Sequence, residues 1–410
     1  MVVRDGRETA DPRKGVLLEP FHHQVGGHMS MLKYNEHTVC KPLVSQEQRF
    51  YETLPKEMMR FTPQYKGVIS VSLRKDSRGR PSLIASPQAD GHASFDMGAE
   101  SSLSTWSKLK REKAGGSECS LASWKKFKTK TVNESCSGTA LLRAEFHFQT
   151  EVSCFLEDSA RTSAERINYN PWGLHCHEEQ LTRMSSEYHE NTLHRFLLLE
   201  NVASQFKYPC ILDLKMGTRQ HGDDATEEKR ARHMKKCAQS TSSSLGVRIC
   251  GMQVYQADKG HFLCKDKYYG RKLSADGFRQ ALYHFLHNGK CLRTDLLEPI
   301  LLQLRTLKSV IEGQNSYRFY SSSLLIVYDG QEQAEGTVTL DHPGYIQKNG
   351  CALPYVVNSH PKVDVRMIDF AHTTYKGCRD NQTNDEGPDQ GYIFGLDNLS
   401  RILQSIQTGE

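Results

Sequence analysis

The chain has 410 residues, of which 37% are hydrophobic and 25% charged, with a formal net charge of +5 at pH 7. The low hydrophobic content predicts that part of the chain lies outside any packed core. The net charge is too small to indicate nucleic acid as a partner, and it carries no membrane signal. The positions of the cations therefore matter more than their number.

Twelve cysteines are scattered along the chain, without a C-x-x-C pair or a metal-ligand spacing. No apolar segment follows residues 1–4, so no signal peptide is predicted, and the apolar runs are too short to span a bilayer. We therefore expect a reducing compartment, the cytoplasm and also the nucleus, with the cysteines as free thiols. His175, Cys176 and His177 lack a second ligand pair, which argues against a zinc site.

The first part of the chain predicts a small, strand-rich lobe over residues 15–74, after a polar segment 1–14 that we expect to be disordered. Short strands are predicted at 16–18, 29–34 and 37–43, followed by a helix over 46–61 and a strand over 68–73. Gly26 and Gly27 precede the second strand. They lack the G-x-G-x-x-G pattern, so a close approach to phosphates and a plain turn are equally compatible with them.

Two segments of altered composition interrupt the chain. Residues 75–166 are rich in serine, lysine, threonine and glycine without a sustained period, and they predict a disordered insertion that is open to protein partners. Residues 331–361, rich in glycine, proline and polar side chains, predict a second one. Long surface insertions lower the stability of the fold only slightly, because the entropic cost of closing a loop grows only logarithmically with its length.

The remaining segments, 167–330 and 362–410, alternate between helix and strand signals and predict a larger lobe. The predicted strands are 195–199, 211–215, 247–255, 261–266, 321–328 and 363–370. The predicted helices are 275–288, 294–314 and 396–407. The expected fold class is therefore α+β, with two lobes.

The most informative stretch, 209–236, joins an apolar strand to a basic helix. Asp213 and Lys215 end the strand on the same side, because strand side chains alternate with a period of two. Asp224 and Glu227 have the D-x-x-E spacing of a capping box and predict the start of the helix.

Four side chains of this helix share one face at positions i, i+3, i+4 and i+7, namely Lys229, Arg232, His233 and Lys236. Stacked like charges repel, so the arrangement lowers stability unless an anion binds. A carboxylate, an ammonium group and a cationic face so close together indicate two highly phosphorylated ligands, a nucleotide and an acidic acceptor.

The pattern P-x-x-x-D-x-K-x-G at 209–217 resembles the defining motif of the inositol polyphosphate kinase family. The words LKMGTRQHGDD at 214–224 are similar to its inositol hexakisphosphate kinase branch, and the resemblance covers 15–67, 170–330 and 362–407. Within that branch, the short chain and its MVV start are most similar to the third mammalian paralogue. The resemblance implies a two-lobed fold, distantly similar to that of protein kinases, with ATP between the lobes.

The resemblance also implies a reaction. The γ-phosphate of ATP would pass to a phosphate of inositol hexakisphosphate, with the 5-position as the family's expectation and inositol pentakisphosphate as a second substrate. Within the enzyme class, a multikinase or trisphosphate kinase acting on ring hydroxyls stays open. A non-catalytic scaffold that binds polyanions is the alternative from another class, since the basic helix alone would suit it.

The nucleotide side is expected to use residues from both lobes. Lys41 is the candidate to reach the ATP phosphates, with either Glu47 or Glu52 as its partner. By resemblance, the backbone of Glu200, Asn201 and Val202 forms the adenine-binding hinge, and Asp213 holds the ribose. Asp369, in the I-D-F-A-H element at 368–372, is the expected Mg²⁺ ligand and a catalytic residue.

The acceptor side is expected to be cationic. Lys215 would contact both the acceptor and the transferring phosphoryl group, as the second catalytic residue. The other candidate contacts are Lys229, Arg230, Arg232, His233, Lys235, Lys236, Ser322, Ser323 and His372. Of these, Arg230 and Lys235 lie off the main helical face.

Overall fold

Six antiparallel strands form a closed barrel in the order β1-β2-β3-β6-β4-β5. The computed structural model describes residues 15–86 apart from 28, 76 and 78, and residues 170–186, 192–331, 361–375 and 387–409. The strands are β1 (Val16–Pro20), β2 (Leu32–Asn35), β3 (Thr38–Pro42), β4 (Tyr65–Lys75), β5 (Pro81–Ser86) and β6 (Leu193–Glu200). Alternate side chains fill the barrel, as Ile69, Val71 and Leu73 of β4 do.

Strand β5 corrects the predicted start of the first insertion. Residues 81–86 lie inside the segment 75–166 that we expected to be disordered, yet they pair with both β1 and β4 and close the barrel. Leu83 and Ala85 are buried on alternate positions, a signal too short to stand out in a polar context. Residues 87–166, 332–360 and 1–14 lie outside the described residues.

The predicted helix at 46–61 is two helices, α1 (Ser45–Glu52) and α2 (Lys56–Met59). Pro55 separates them because it has no N–H to donate within a continuous helix. A further helix, α3 (Pro171–Ser186), has no counterpart among the sequence predictions.

Five antiparallel strands form the second sheet in the order β11-β10-β7-β8-β9. They are β7 (Pro209–Met216), β8 (Val247–Gln256), β9 (His261–Lys265), β10 (Ser323–Asp329) and β11 (Val363–Ile368). All five correspond to predicted strands. The α+β class is confirmed.

Helices cover the second sheet. They are α4 (Glu227–Ala238), α5 (Thr241–Leu245), α6 (Lys267–Arg271), α7 (Ala275–Phe285), α8 (Leu297–Glu312) and α9 (Gln390–Thr408). A 3₁₀ turn at Thr294–Leu296 precedes α8. Among the described helices, none has both the length and the apolar character that crossing a membrane requires.

The central strand β7 has two different faces. Leu212, Leu214 and Met216 belong to the large apolar core that includes residues of α7, α8 and α9. Asp213 and Lys215 alternate with them and point to the opposite face, away from that core. One face of β7 therefore packs in the core, and the other carries polar side chains that can bind a ligand.

Candidate active site

The glycine loop before β2 lies directly against the motif aspartate. A Cβ atom added to Gly26 would lie 2.0 Å from Asp213 Oδ2, which no side chain can occupy. Gly27 has a φ of +76°, a conformation that favours glycine. Gly26 is thus required by the close approach of the loop to Asp213, which joins the barrel to the second sheet at this point.

Lys41 of β3 forms a buried network with two carboxylates. Its Nζ lies 2.7 Å from Glu47 Oε1 and 2.7 Å from Asp369 Oδ1. Burial lowers the pKa of Lys41, but the charges of Asp369 and Glu47 outweigh it and raise that pKa above its ordinary value. Lys41 therefore stays cationic in a cleft that excludes most water.

The network decides between the two candidate glutamates. Glu47 is fully buried, and its Oε1 also accepts a hydrogen bond from the Phe370 N–H at 3.2 Å. Glu52 is exposed, and its Oε1 instead accepts from Gln48 Nε2 at 2.8 Å. The partner of Lys41 is Glu47.

Asp369 follows β11 in a left-handed conformation, with a φ of +66°. Such a backbone is strained for a residue other than glycine, and strain of this kind clusters at functional sites. The Phe370 ring stacks on Phe50 of α1 with 3.9 Å between centroids, which holds this turn in place. The strained turn directs the Asp369 carboxylate to Lys41.

The charge of Asp369 acts on Asp213 across the cleft. Burial, followed by the charge of Asp369, raises the pKa of Asp213 to about 6. Asp213 is 3% exposed, and its Oδ1 has no hydrogen-bond partner within the described part of the chain. An unsatisfied buried oxygen of this kind is destabilising by itself, so it suits a ligand that donates hydrogen bonds.

The segment 201–208 connects β6 to β7, where the hinge was predicted. Glu200 Oε2 accepts from Arg366 Nη1 at 3.2 Å, and Asn201 Nδ2 donates to the Glu36 carbonyl at 2.8 Å. These side chains hold the connection in place, and the Glu200 and Asn201 N–H groups donate to the Gln64 and His37 carbonyls at 2.9 and 3.1 Å. Val202 is buried in an apolar cluster with Val25 and others.

The basic helix α4 begins differently from the prediction. Its N-cap is Thr226, whose side chain accepts from the Lys229 N–H at 3.3 Å. The predicted capping box of Asp224 and Glu227 is therefore wrong, because Thr226 satisfies the first turn and Asp224 precedes it by two residues. Glu227 is the first residue of the helix instead.

The faces of α4 also differ in exposure. Lys229, His233 and Lys236 are half-buried, whereas Arg232 and Lys235 are exposed. Arg230 is half-buried, and its Nε lies 3.8 Å from Glu227 Oε2 on the same helix. The inward face of α4 thus carries two lysines and a histidine.

His372 brings the strand and helix contributions together. Burial, then the charges of Lys229, Lys215 and His233, lowers the pKa of His372 to about 4, although Asp224 acts in the opposite direction. His372 Nδ1 is buried without a hydrogen-bond partner among the described residues. Four predicted acceptor-binding side chains, from β7, α4 and the turn after β11, therefore lie in one neighbourhood.

The two predicted serines differ. Ser323 lies opposite Lys215 in the pairing of β10 with β7, so it borders the cleft. Ser322 is fully buried, and its hydroxyl donates to the Phe319 carbonyl at 2.8 Å. Ser322 lies just before β10, with its hydroxyl bonded within its own turn, and the expectation that it lines the cleft stays a prediction.

Other residues at this cleft are not identified from the sequence. Arg248 of β8 lies opposite Lys215, and it is buried. Trp172 of α3 donates from Nε1 to the Gly27 carbonyl at 3.1 Å and so holds the glycine loop. Lys267 Nζ lies 4.5 Å from the centre of the Trp172 ring. The only sequence signal is the i, i+4 spacing of Lys267 and Arg271.

Comparison with known proteins agrees with the resemblance. The family model for inositol polyphosphate kinase matches residues 196–404. The chain is 60% identical to inositol hexakisphosphate kinase 3 of Homo sapiens over the full length of both, and 51% identical to inositol hexakisphosphate kinase 1 of the same organism, over 96% of this chain and 94% of that one.

A solved structure of the inositol phosphate multikinase Ipk2 of S. cerevisiae, in complex with ADP and Mn²⁺, is 24% identical. Its match covers 52% of this chain and 84% of that one, with a TM-score of 0.40. The full-length relatives and the family model establish the family by themselves. The chain belongs to the inositol polyphosphate kinase family, within the branch of the inositol hexakisphosphate kinases.

Proposed function

We propose that this protein is an ATP-dependent inositol hexakisphosphate kinase. It transfers the γ-phosphate of ATP to a phosphate of inositol hexakisphosphate and forms a diphosphate on the ring, with inositol pentakisphosphate as a second acceptor. The observation that carries the proposal is the buried Lys41–Glu47–Asp369 network beside a cationic cleft. A protein that only binds polyanions has no need for such a network.

The nucleotide lies between the barrel and the second sheet in this proposal. Lys41 contacts its phosphates, and the apolar cluster around Val25 and Val202 packs against adenine. Asp213 Oδ1, buried and without a partner among the described residues, accepts hydrogen bonds from the ribose hydroxyls. Ribose binding would thus supply the hydrogen bonds that the buried Asp213 Oδ1 lacks.

The chemistry of Asp369 suits a Mg²⁺ ligand. Its side chain is 30% exposed in the cleft, and carboxylate oxygens are the donors that Mg²⁺ prefers. Among the described residues, no group of three or more acidic, histidine or cysteine side chains could hold a metal alone. Asp369 would therefore share the Mg²⁺ ion with nucleotide phosphates. The ion would neutralise the negative charge of the transferring group.

The acceptor binds to the face formed by Lys215, Lys229, His233 and His372. With a pKa of about 4, His372 is neutral at pH 7 without a ligand, and an approaching polyanion would raise that pKa. Lys215 follows Asp213 on the same face of β7, so it can contact both substrates. A phosphate acceptor brings its own ionised oxygen, so the transfer requires positioning and positive charge rather than a general base.

The acceptor preference tests this proposal against its closest rival. Purified protein would be incubated with labelled ATP, Mg²⁺ and equal concentrations of inositol hexakisphosphate, pentakisphosphate and trisphosphate, and the products separated by anion exchange. We expect label mainly on the two most phosphorylated rings. Label confined to the trisphosphate would instead indicate a kinase that acts on ring hydroxyls.

A further inference from the structure

Several cations beside the acceptor face have no carboxylate partner. Lys236, Lys267 and Arg271 are half-buried, and in the described ranges none of them lies within ion-pairing distance of a carboxylate. Some other cations out of full contact with water are paired, as Arg293 is with Asp295 at 2.7 Å and Arg366 with Asp364 at 2.7 Å. Because water cannot fully solvate a half-buried cation, an unpaired group of them is destabilising.

The short helix α6 holds two of these cations on one side. Its Asp266 cap accepts from the N–H groups of Tyr268 and Tyr269, both at 3.0 Å. A Cβ atom on Gly270 would lie 2.0 Å from the Ile249 carbonyl oxygen, so α6 packs directly on β8. Lys267 and Arg271 lie four residues apart, and therefore on the same side of the helix.

Aromatic rings hold both side chains in place. Lys267 Nζ lies 4.5 Å from the centre of the Trp172 ring, and the Arg271 guanidinium carbon lies 5.5 Å from that of Tyr268. Such contacts stabilise a cation and leave its N–H donors available. Arg271 Nε is in fact buried and has no hydrogen-bond partner among the described residues.

These cations adjoin the acceptor face. Lys236 lies on α4, the helix of Lys229 and His233, and burial together with the charge of Arg271 lowers its pKa. Burial and the same arginine also lower the pKa of Lys267. Glu179 of α3 opposes this effect on Lys267, but it is exposed and lies 3.6 Å from His175.

Arg248 lies between the acceptor face and the cations of α4 and α6. It lies opposite Lys215 in the β7–β8 pairing, so both side chains project from the same face of the sheet. It donates to the Ser242 hydroxyl at 2.7 Å, and its buried charge adds to the positive potential. The cationic surface therefore continues from Lys215, through Arg248, to Lys236 and α6.

We propose that Lys236, Lys267 and Arg271, with Arg248 beneath them, form a second phosphate-binding subsite. It takes a phosphate of the inositol polyphosphate acceptor other than the one that receives the γ-phosphate. The inference rests on the proposed function. An acceptor with few phosphates leaves this subsite empty, so it favours highly phosphorylated rings, and the planar Arg271 group suits bidentate contact with phosphate.

Calorimetric titration without ATP tests the subsite. Inositol hexakisphosphate and an inositol trisphosphate would be titrated into wild type, Lys267→Gln, Arg271→Gln and the control Lys259→Gln, which removes one charge from an exposed turn. We expect each of the two subsite variants to bind the hexakisphosphate about tenfold more weakly, as for a lost charged hydrogen bond. Trisphosphate binding should change less than about twofold. Arg271→Lys should lose part of the hexakisphosphate affinity, because lysine keeps the charge but not the bidentate contact.

Equal hexakisphosphate affinities in the Gln variants and the Lys259→Gln control would overturn the inference, provided that melting curves show all of them folded. Inorganic phosphate is titrated as a separate probe. If it binds wild type tightly and the Gln variants weakly, the subsite holds free phosphate rather than part of the acceptor. Because binding is measured without turnover, a wild type that forms no diphosphate would refute the proposed function and leave this test intact.

Discussion

Replacing Glu47 by glutamine is the most informative single perturbation of the nucleotide side. Glu47 Oε1 accepts from Lys41 Nζ at 2.7 Å and from the Phe370 N–H at 3.2 Å. It thereby links the barrel to the strained turn that carries Asp369. Glutamine keeps an oxygen for these two donors, but it loses the charge and adds an N–H₂ group where Glu47 Oε2 is buried without a partner among the described residues.

The expected loss of stability follows from the changed bonds and from the new N–H₂ group. The bond from the Phe370 N–H becomes a neutral one and loses about 1 kcal/mol, whereas the bond from Lys41 keeps the lysine charge; the buried N–H₂ group without an acceptor costs about a further 1 kcal/mol. The free energy of unfolding should therefore fall by about 2 kcal/mol. Lys41 keeps its contact with Asp369, so the loss stays below the roughly 3–5 kcal/mol of a fully broken buried pair.

The assays are thermal unfolding and steady-state kinetics, with Glu52→Gln as the matched control on the same helix. Glu47→Gln should lower kcat/KM for ATP by about 100-fold, because Lys41 loses one of the groups that position it. Glu52 is exposed, so its variant should change stability by less than about 0.5 kcal/mol. Equal kinetic losses in the two variants would refute the assignment of Glu47 as the partner.

Two further predictions concern the contact between Gly26 and Asp213. Folding raises the pKa of the Asp213 carboxyl from 3.8 to about 6. The folded protein therefore holds this proton more tightly than the unfolded chain does. The free energy of unfolding should fall as pH rises from about 4 to 6, by at most about 3 kcal/mol. Asp213→Asn should therefore raise the melting temperature more at pH 7.5 than at pH 4; parallel pH curves for the two proteins would contradict this. Gly26→Ala places a Cβ atom 2.0 Å from Asp213 Oδ2, so the KM for ATP should rise at least about tenfold. Gly313→Ala, whose Cβ meets nothing closer than 3.4 Å, should leave that KM unchanged, and an unaltered KM in both variants would show that the glycine loop does not border the nucleotide.

The elements that the sequence predicts well are those whose pattern is local. The alternation in PCILDLKM at 209–216 specifies a buried strand with Asp213 and Lys215 on one side, and β7 has that arrangement. Strand β5 is missed because its six residues form a strand by pairing with β1 and β4, and that pairing is not visible in the local sequence. The start of α4 is misplaced because Asp224 and Thr226 are both good caps, and only the folded chain selects Thr226.

The same distinction holds for the site. The basic face of α4 is visible as a helical period, whereas the choice between Glu47 and Glu52 depends on how α1 packs against the turn at Phe370. Arg248 and Arg271 are separate from the motif in sequence. They join it only through the pairing of β7 with β8 and the packing of α6 on β8.

The most direct test of the central claim is phosphorus NMR of the product. Wild type and Asp369→Asn would each be incubated with ATP, Mg²⁺ and inositol hexakisphosphate. The proposed function predicts new diphosphate signals on the inositol ring with wild type and almost none with Asp369→Asn. Tight binding of inositol hexakisphosphate by wild type, without any diphosphate product, would contradict it.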